Sequence, residues 1–134
     1  MFDLIKYKDN IAVLTDRGES LTYYQLNEEV NKFASAMPHA GLVFTLCENV
    51  LGSLVGYIAC MNKKIPQVLL DGGKDLESVQ RLIGIYEPEY IWLPTARVHE
   101  FMGCPEVKKD PTVIYEYSSY SLLSTGYPPR EINP

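Results

Sequence analysis

The chain has 134 residues, 46% of them hydrophobic and 22% charged, which is one domain's worth of sequence with enough apolar side chains to bury a core, so disorder is excluded as a description of the whole. Twelve Lys and Arg against 17 Asp and Glu leave a net charge of −5 with the basic residues spread along the chain, so no nucleic-acid-binding face is expected. Three widely spaced cysteines (Cys47, Cys60, Cys104) and two histidines (His39, His99) make no metal-ligand motif, the charged first ten residues hold no signal-peptide core, and no run reaches the roughly 18 apolar residues of a spanning helix. These features point to a reduced, cytoplasmic protein with no membrane span.

Two short β-prone runs, Ile11 to Asp16 and Glu19 to Tyr23, flank Arg17-Gly18 and predict a hairpin. Leu26, Val30, Phe33, Ala34 and Met37 then recur at the spacing of one helical face. Thr22 is the expected N-cap, with Gln25 completing a capping box and Leu21 stapling onto Leu26. After Pro38 and Gly41, the run Leu42 to Cys47 is continuously apolar and β-prone, as in a parallel strand buried on both faces. Either Glu48 or Asn49 is placed to cap the next helix, Val50 to Met61. It is apolar almost all round and carries Gly52 and Gly56 four apart; twelve residues cannot cross a bilayer, so close packing on a sheet is expected.

Ile65 to Leu70 reads as another buried strand. Asp75 should cap a helix whose apolar face is Leu76, Val79, Leu82, Ile83 and Tyr86, stopped by Pro88. Then come a strand at Tyr90 to Leu93, a short helix after Thr95 that includes Val98, Phe101 and Met102, and β-prone runs at Thr112 to Tyr117 and Tyr120 to Thr125. The end, from Tyr127, is proline-rich and looks extended. This alternation predicts an α/β fold: a Rossmann-like, mainly parallel sheet with helices on both faces, preceded by an N-terminal β-hairpin. Residues 1–134 are read as a single α/β unit, with a leading hairpin region at 1–20, an alternating core at 21–126 and an extended tail at 127–134.

In such a sheet ligands bind at the carboxyl ends of the strands, which directs attention to the loops after Cys47, Leu70 and Leu93. Asp71-Gly72-Gly73-Lys74-Asp75 could offer backbone amides and Lys74 to an anion, but it matches no phosphate-loop pattern and is flanked by acid, so a strand-to-helix turn with an N-cap is the preferred reading. Cys47 is a conceivable nucleophile without a nearby histidine, and a structural cysteine is favoured. His39 and His99 read as solvated surface residues, and Glu28-Glu29 as the polar side of their helix. Alternation puts Tyr115 and Tyr117 on one strand face, where packing is preferred over ligand contact. No catalytic, cofactor-binding or metal-ligating residue is assigned.

Three segments carry a family resemblance. Leu21 to Met37 (LTYYQLNEEVNKFASAM), preceded by IAVLTDRGES, resembles the start of the adenylate-forming, AMP-binding ligases: acyl-CoA synthetases, nonribosomal adenylation domains and D-alanine–carrier ligases. Val43 to Asp71 is similar to the family's strand, Asn-bearing turn, apolar helix and returning strand that ends in Asp; Ser78 to Pro94 resembles the helix and strand that follow. The likeness covers about residues 10 to 95 in register. Asn62-Lys63-Lys64 and Gln67 to Leu70 depart from the family's usual Lys-Ala-Gly turn and aromatic-Val-Pro-Leu strand.

The resemblance implies the N-terminal subdomain of an ATP-dependent acid–thiol ligase, ending before the Ser/Thr/Gly-rich loop and its Lys that grip the ATP phosphates. In the intact enzyme a carboxylic acid would be activated as an acyl-adenylate and passed to coenzyme A or a carrier-protein phosphopantetheine, with ATP and magnesium as cofactors. None of these would be bound by these 134 residues alone, which are expected to be inactive. The remainder of the ligase chain is the implied partner, leaving an exposed apolar patch at Tyr115, Tyr117, Leu122 and Leu123 and a tendency to self-associate. The alternatives are a stand-alone Rossmann-like interaction domain without catalysis, and a small hydrolase using Cys47.

Overall fold

The computed structural model describes residues 11–14, 20–38, 41–102 and 111–127. Strands β1 (Ile11–Leu14) and β2 (Ser20–Thr22) pair antiparallel, so the expected hairpin forms, with Arg17-Gly18 lying outside the described residues. Helix α1 (Tyr23–Ala36) starts as its sequence dictates. The Thr22 hydroxyl oxygen accepts from the Gln25 N–H at 3.1 Å, and the Gln25 side-chain oxygen accepts from the Thr22 N–H at 2.9 Å, satisfying two N–H groups that helix geometry leaves without partners. Leu21 and Leu26 are both buried in one core, as the staple requires.

The remaining elements are β3 (Val43–Cys47), α2 (Leu51–Asn62), β4 (Gln67–Asp71), α3 (Leu76–Tyr86), β5 (Tyr90–Pro94), a 3-10 turn at Thr95–Arg97, α4 (Val98–Met102), β6 (Thr112–Tyr117) and β7 (Tyr120–Ser124). Five strands form one sheet in the order β4-β3-β5-β7-β6. β4, β3 and β5 run parallel; β7 is antiparallel to both β5 and β6. The fold is therefore α/β with helices on both faces, but its parallel part is three strands wide and a hairpin completes it. A two-residue connection such as Ser118-Ser119 can join only antiparallel neighbours, which is why the last two strands leave the parallel pattern.

Strand alternation divides the interior into two cores. Val43, Tyr90, Trp92 and Leu122 turn to one face, where Leu26, Val30 and Phe33 of α1 and Val55, Ile58 and Ala59 of α2 cover them. Phe44, Leu46, Ile91, Leu93 and Leu123 turn to the other, under Val79 and Ile83 of α3 and Phe101 of α4. Tyr127, at the start of the proline-rich end, is buried in this second core; residues 128–134 lie outside the described set.

Gly52 and Gly56 do what close packing on a sheet demands. A side-chain carbon at Gly56 would lie 2.2 Å from the Trp92 ring, and one at Gly52 would lie 2.7 Å from the Ser118 carbonyl oxygen. Through this gap the Trp92 indole N–H reaches the Gly52 carbonyl oxygen at 3.0 Å, so β5 and α2 are joined at an otherwise apolar contact.

Three expectations are corrected. Helix α2 has Val50 as its N-cap with no side-chain capping bond, so neither Glu48 nor Asn49 caps it; instead the Ser53 hydroxyl, one turn inside, accepts from the Glu48 N–H. The strand after α2 runs Gln67–Asp71 at the sheet's edge and is half exposed, because only β3 flanks it. The patch expected at Tyr115, Tyr117, Leu122 and Leu123 is covered: Leu122 and Leu123 are fully buried in opposite cores, and the two tyrosines pack against the α1–α2 core. The alternation that put the tyrosines on one face holds, and packing is their role.

Candidate functional site

The parallel strands β3, β4 and β5 bring the loops at 48–50, 72–75 and 95–97 to one edge of the sheet, the position where open α/β folds hold ligands. The β6–β7 turn joins them, because Tyr120 stands opposite Pro94 at the end of β5. Both turn residues, Ser118 and Ser119, have positive φ (44° and 65°), and the Ser119 carbonyl oxygen accepts from the Thr95 N–H at 2.8 Å. Non-glycine residues adopt this conformation only where surrounding contacts fix it. Here the bond to Thr95 and the bare backbone of Gly52 beneath it do so.

The glycine-rich loop closes on itself. Gly72 N–H donates to the Cys47 carbonyl oxygen at 2.7 Å, Gly73 N–H to the Asp71 carboxylate at 2.8 Å, and Lys74 N–H to the Asp71 carbonyl oxygen at 3.0 Å. Asp75 caps α3 through the Ser78 N–H at 3.0 Å, and the Ser78 backbone and hydroxyl together hold its carboxyl below the ordinary range. With its amides turned inward and acid at both ends, this loop is the strand-to-helix turn its sequence suggested and presents no cradle for phosphate. Gly72 is obligatory, since a side-chain carbon there would lie 2.7 Å from the Cys47 carbonyl oxygen, a backbone atom that cannot move aside.

Arg97 organises this edge. Its guanidinium makes a two-pronged pair with Glu100 (3.0 and 2.8 Å), donates to the Gly72 carbonyl oxygen at 3.0 Å, and lies over the Phe101 ring at 5.8 Å. The bond to Glu100 raises the affinity of Arg97 for its proton and lowers that of Glu100, with the charges of Glu48 and Asp75 adding to the effect on Arg97. One cation thus ties the β5–α4 turn to the β4–α3 loop and offsets an acidic rim. Replacing Arg97 by Met should lower unfolding stability by about 1–2 kcal/mol, from the hydrogen bonds left unmade. High salt should recover part of that loss by screening the carboxylates no longer neutralised. Urea melts at low and high salt check this; equal salt dependence in both proteins would show that Arg97 does not neutralise the rim.

Cys47 ends β3 here, half-buried, with its thiol pointing back to the Thr45 carbonyl oxygen at 3.6 Å. Burial, reinforced by the charge of Asp71, pushes the thiol up from its ordinary value even against the hydrogen bond from Ser53, so the thiolate a nucleophile needs is disfavoured. Among the described residues no histidine is hydrogen-bonded to it; His99 is exposed on α4, and His39 and Cys104 lie outside the described set. Cys60 is buried, and desolvation pushes it up to about 12. Neither cysteine is placed for nucleophilic chemistry. Beneath the loop after β3, the buried Tyr120 hydroxyl donates to the Leu46 carbonyl oxygen at 2.6 Å. Glu29, read as part of a solvated helix face, instead accepts from the Tyr115 hydroxyl at 2.6 Å.

Sequence reasoning located this edge but missed Arg97, Ser53 and Tyr120 as the groups that organise it. The Arg97–Glu100 pair is a local i,i+3 spacing, but the bonds that make these groups organisers reach Gly72 and Leu46, 25 and 74 positions away, or cross the turn to Glu48, and no local spacing signals those. Among the described residues no cluster of three potential metal ligands occurs, and no helix is long and apolar enough to cross a membrane. Comparison with protein-family models, with curated proteins and with solved structures gives no match to this chain.

Proposed function

We propose that this chain is the N-terminal α/β part of a cytoplasmic, AMP-forming acid–thiol ligase, and that residues 1–134 form a scaffold that is inactive without the rest of the enzyme. The observation that carries the reading is the agreement between the resembling segments and whole structural units. Leu21 to Met37 spans the end of β2 and all of α1; Val43 to Asp71 spans the parallel β3–α2–β4 unit; Ser78 to Pro94 spans nearly all of α3 and β5. The three likenesses follow one another in the order of the folding units, and the middle one coincides with a complete parallel strand–helix–strand unit.

The described residues do not fit the nucleotide or its magnesium. The loop amides that would meet phosphate are bonded within the protein, and the rim carries Glu48, Asp71 and Asp75 against Arg97, which is itself paired. No step of the reaction is therefore assigned to a residue of this chain. The test is to express the coding frame continued past Pro134 and to measure acid-dependent ATP–pyrophosphate exchange. Exchange by the longer protein and none by residues 1–134 is the expected result. A continued frame without a Ser/Thr/Gly-rich loop ending in Lys, or a stop codon there, overturns the proposal in favour of a stand-alone interaction domain.

A further inference from the structure

The two edges of the five-stranded sheet differ in how they are protected. β6 bulges between Val113 and Tyr115, carries the charged Glu116, and is tied to α1 by the Tyr115–Glu29 hydrogen bond, all of which discourage a further strand. β4 runs Gln67-Val68-Leu69-Leu70-Asp71 without lysine, proline or bulge, and Leu69 is 50% exposed. The Pro66 carbonyl oxygen accepts from Val43 N–H and Gly72 N–H donates to the Cys47 carbonyl oxygen, which fixes the phase of the ladder. Residues 66, 68, 70 and 72 turn their backbone groups towards β3, and Gln67 and Leu69 turn theirs outward. Among the described residues no strand pairs with that side.

We propose that this edge pairs antiparallel with the same edge of a second copy of the chain, about a two-fold axis at Leu69. An antiparallel dyad between hydrogen-bonded residues has to pass through a residue whose N–H and C=O both point outward, and Leu69 is the central one. There the two Leu69 backbones exchange hydrogen bonds, their half-exposed side chains cover each other, and Gln67 comes opposite the copy's Asp71. Charge favours this arrangement over a parallel one: beyond the strand ends Lys63 lies towards Asp75 of the copy and only Lys64 lies towards a like charge, Lys74. A parallel copy would instead bring Lys63-Lys64 beside Lys63-Lys64, and its head-to-tail contact would not close. A contact built on one five-residue strand is smaller than a standard interface, so the dimer is weak and concentration-dependent. This places self-association at the edge opposite the tyrosine strand, and it does not rest on the ligase reading.

Sedimentation equilibrium from low to high micromolar tests it on the 134-residue chain. The average mass should climb from 15.2 kDa towards twice that value. Leu69→Lys and Leu69→Glu, which set like charges face to face on the axis, should each weaken the dimer roughly tenfold or more. An equimolar mixture of the two should restore association, because residue 69 then meets the opposite charge. A wild-type chain that stays monomeric, variants that associate like wild type, or a mixture that fails to recover each overturn the proposal. Leu69→Cys keeps the test decisive if the charged variants do not fold: the Cβ atoms of a hydrogen-bonded antiparallel pair are about 5.5 Å apart, too far for an unstrained disulfide but within the span of a short bis-maleimide, which should yield a covalent dimer through position 69 well above the wild-type level. Failure to form it would likewise overturn the proposal.

Discussion

Gly56→Ala should lower the stability of the fold by about 2–3 kcal/mol, although alanine is the better helix former. Position 56 is in the middle of α2, where exchanging glycine for alanine ordinarily gains up to about 1 kcal/mol. The added methyl carbon, however, would stand 2.2 Å from both Cδ1 and Nε1 of Trp92 and 2.8 Å from Cε2. The indole cannot retreat. Phe33 meets it edge-on at 5.1 Å, Tyr115 stacks on it at 5.8 Å, Tyr120 lies tilted at 5.3 Å, and its N–H is held by the Gly52 carbonyl oxygen. Helix and sheet must therefore separate or the ring must leave its place, and overpacking of this kind costs about 1–3 kcal/mol, occasionally more. A domain whose total stability is roughly 5–15 kcal/mol registers that as a large shift in the urea midpoint, read from the fluorescence of the single tryptophan. Gly84→Ala supplies the contrast. It lies in α3, and a side-chain carbon there meets nothing within 4 Å, so the same exchange should stabilise by about 0.5–1 kcal/mol. If Gly56→Ala melts with Gly84→Ala, the α2–β5 contact is looser than described.

That contact also marks where the sequence stops being informative. The four-residue spacing of Gly52 and Gly56 announces a close approach, but nothing near them names Trp92, which arrives from 36 positions beyond Gly56. Features set by neighbours in the chain are legible: the Thr22–Gln25 capping box, the buried stripe of α1, the Asp75 cap and the strand alternation that separates two cores. Features set by sheet order are not. Val68, Leu69 and Leu70 look like an interior strand because their composition is apolar, yet β4 lies at the edge, and order in a sheet is decided by which crossovers close. Leu122 and Leu123 read as an exposed patch for a related reason: nothing near them in the chain shows that both faces of β7 are covered, Leu122 by the core under α1 and α2 and Leu123 by the core under α3 and α4. At the candidate site, the loop after β4 was readable as a turn from its Asp and Gly residues. The Arg97 clip that fixes it depends on the distance between two loops that only the folded sheet brings together.

Alkaline pH should unfold the protein steeply, starting from about pH 10, because three groups that the fold keeps protonated ionise in the unfolded chain. Burial is the main cause for each. Cys60 is enclosed by apolar side chains and pushed up to about 12. Tyr120 is fully buried with its hydroxyl aimed at the Leu46 carbonyl oxygen, and its phenol is held well above the ordinary 10.0. Tyr115 is raised further, since its hydroxyl donates to the Glu29 carboxylate and a phenolate there would face a negative charge. The sign follows from proton counting. The folded values lie above the unfolded ones, so the stabilisation is complete below the unfolded thiol and phenol values of 9.0 and 10.0 and is lost as pH rises past them. Each group contributes a slope of roughly 1.4 kcal/mol per pH unit, so once all three are ionised in the unfolded chain the fold loses about 4 kcal/mol per unit. Absorbance of tyrosinate followed together with Trp92 fluorescence should show the contribution of Tyr115 and Tyr120 appearing only with unfolding. Tyr115→Phe removes one of the three protons, so its stability should fall less steeply with pH although the bond to Glu29 is lost. Tyrosinate absorbance reaching its full value for all ten tyrosines while the tryptophan signal is unchanged would mean that neither hydroxyl is held as described.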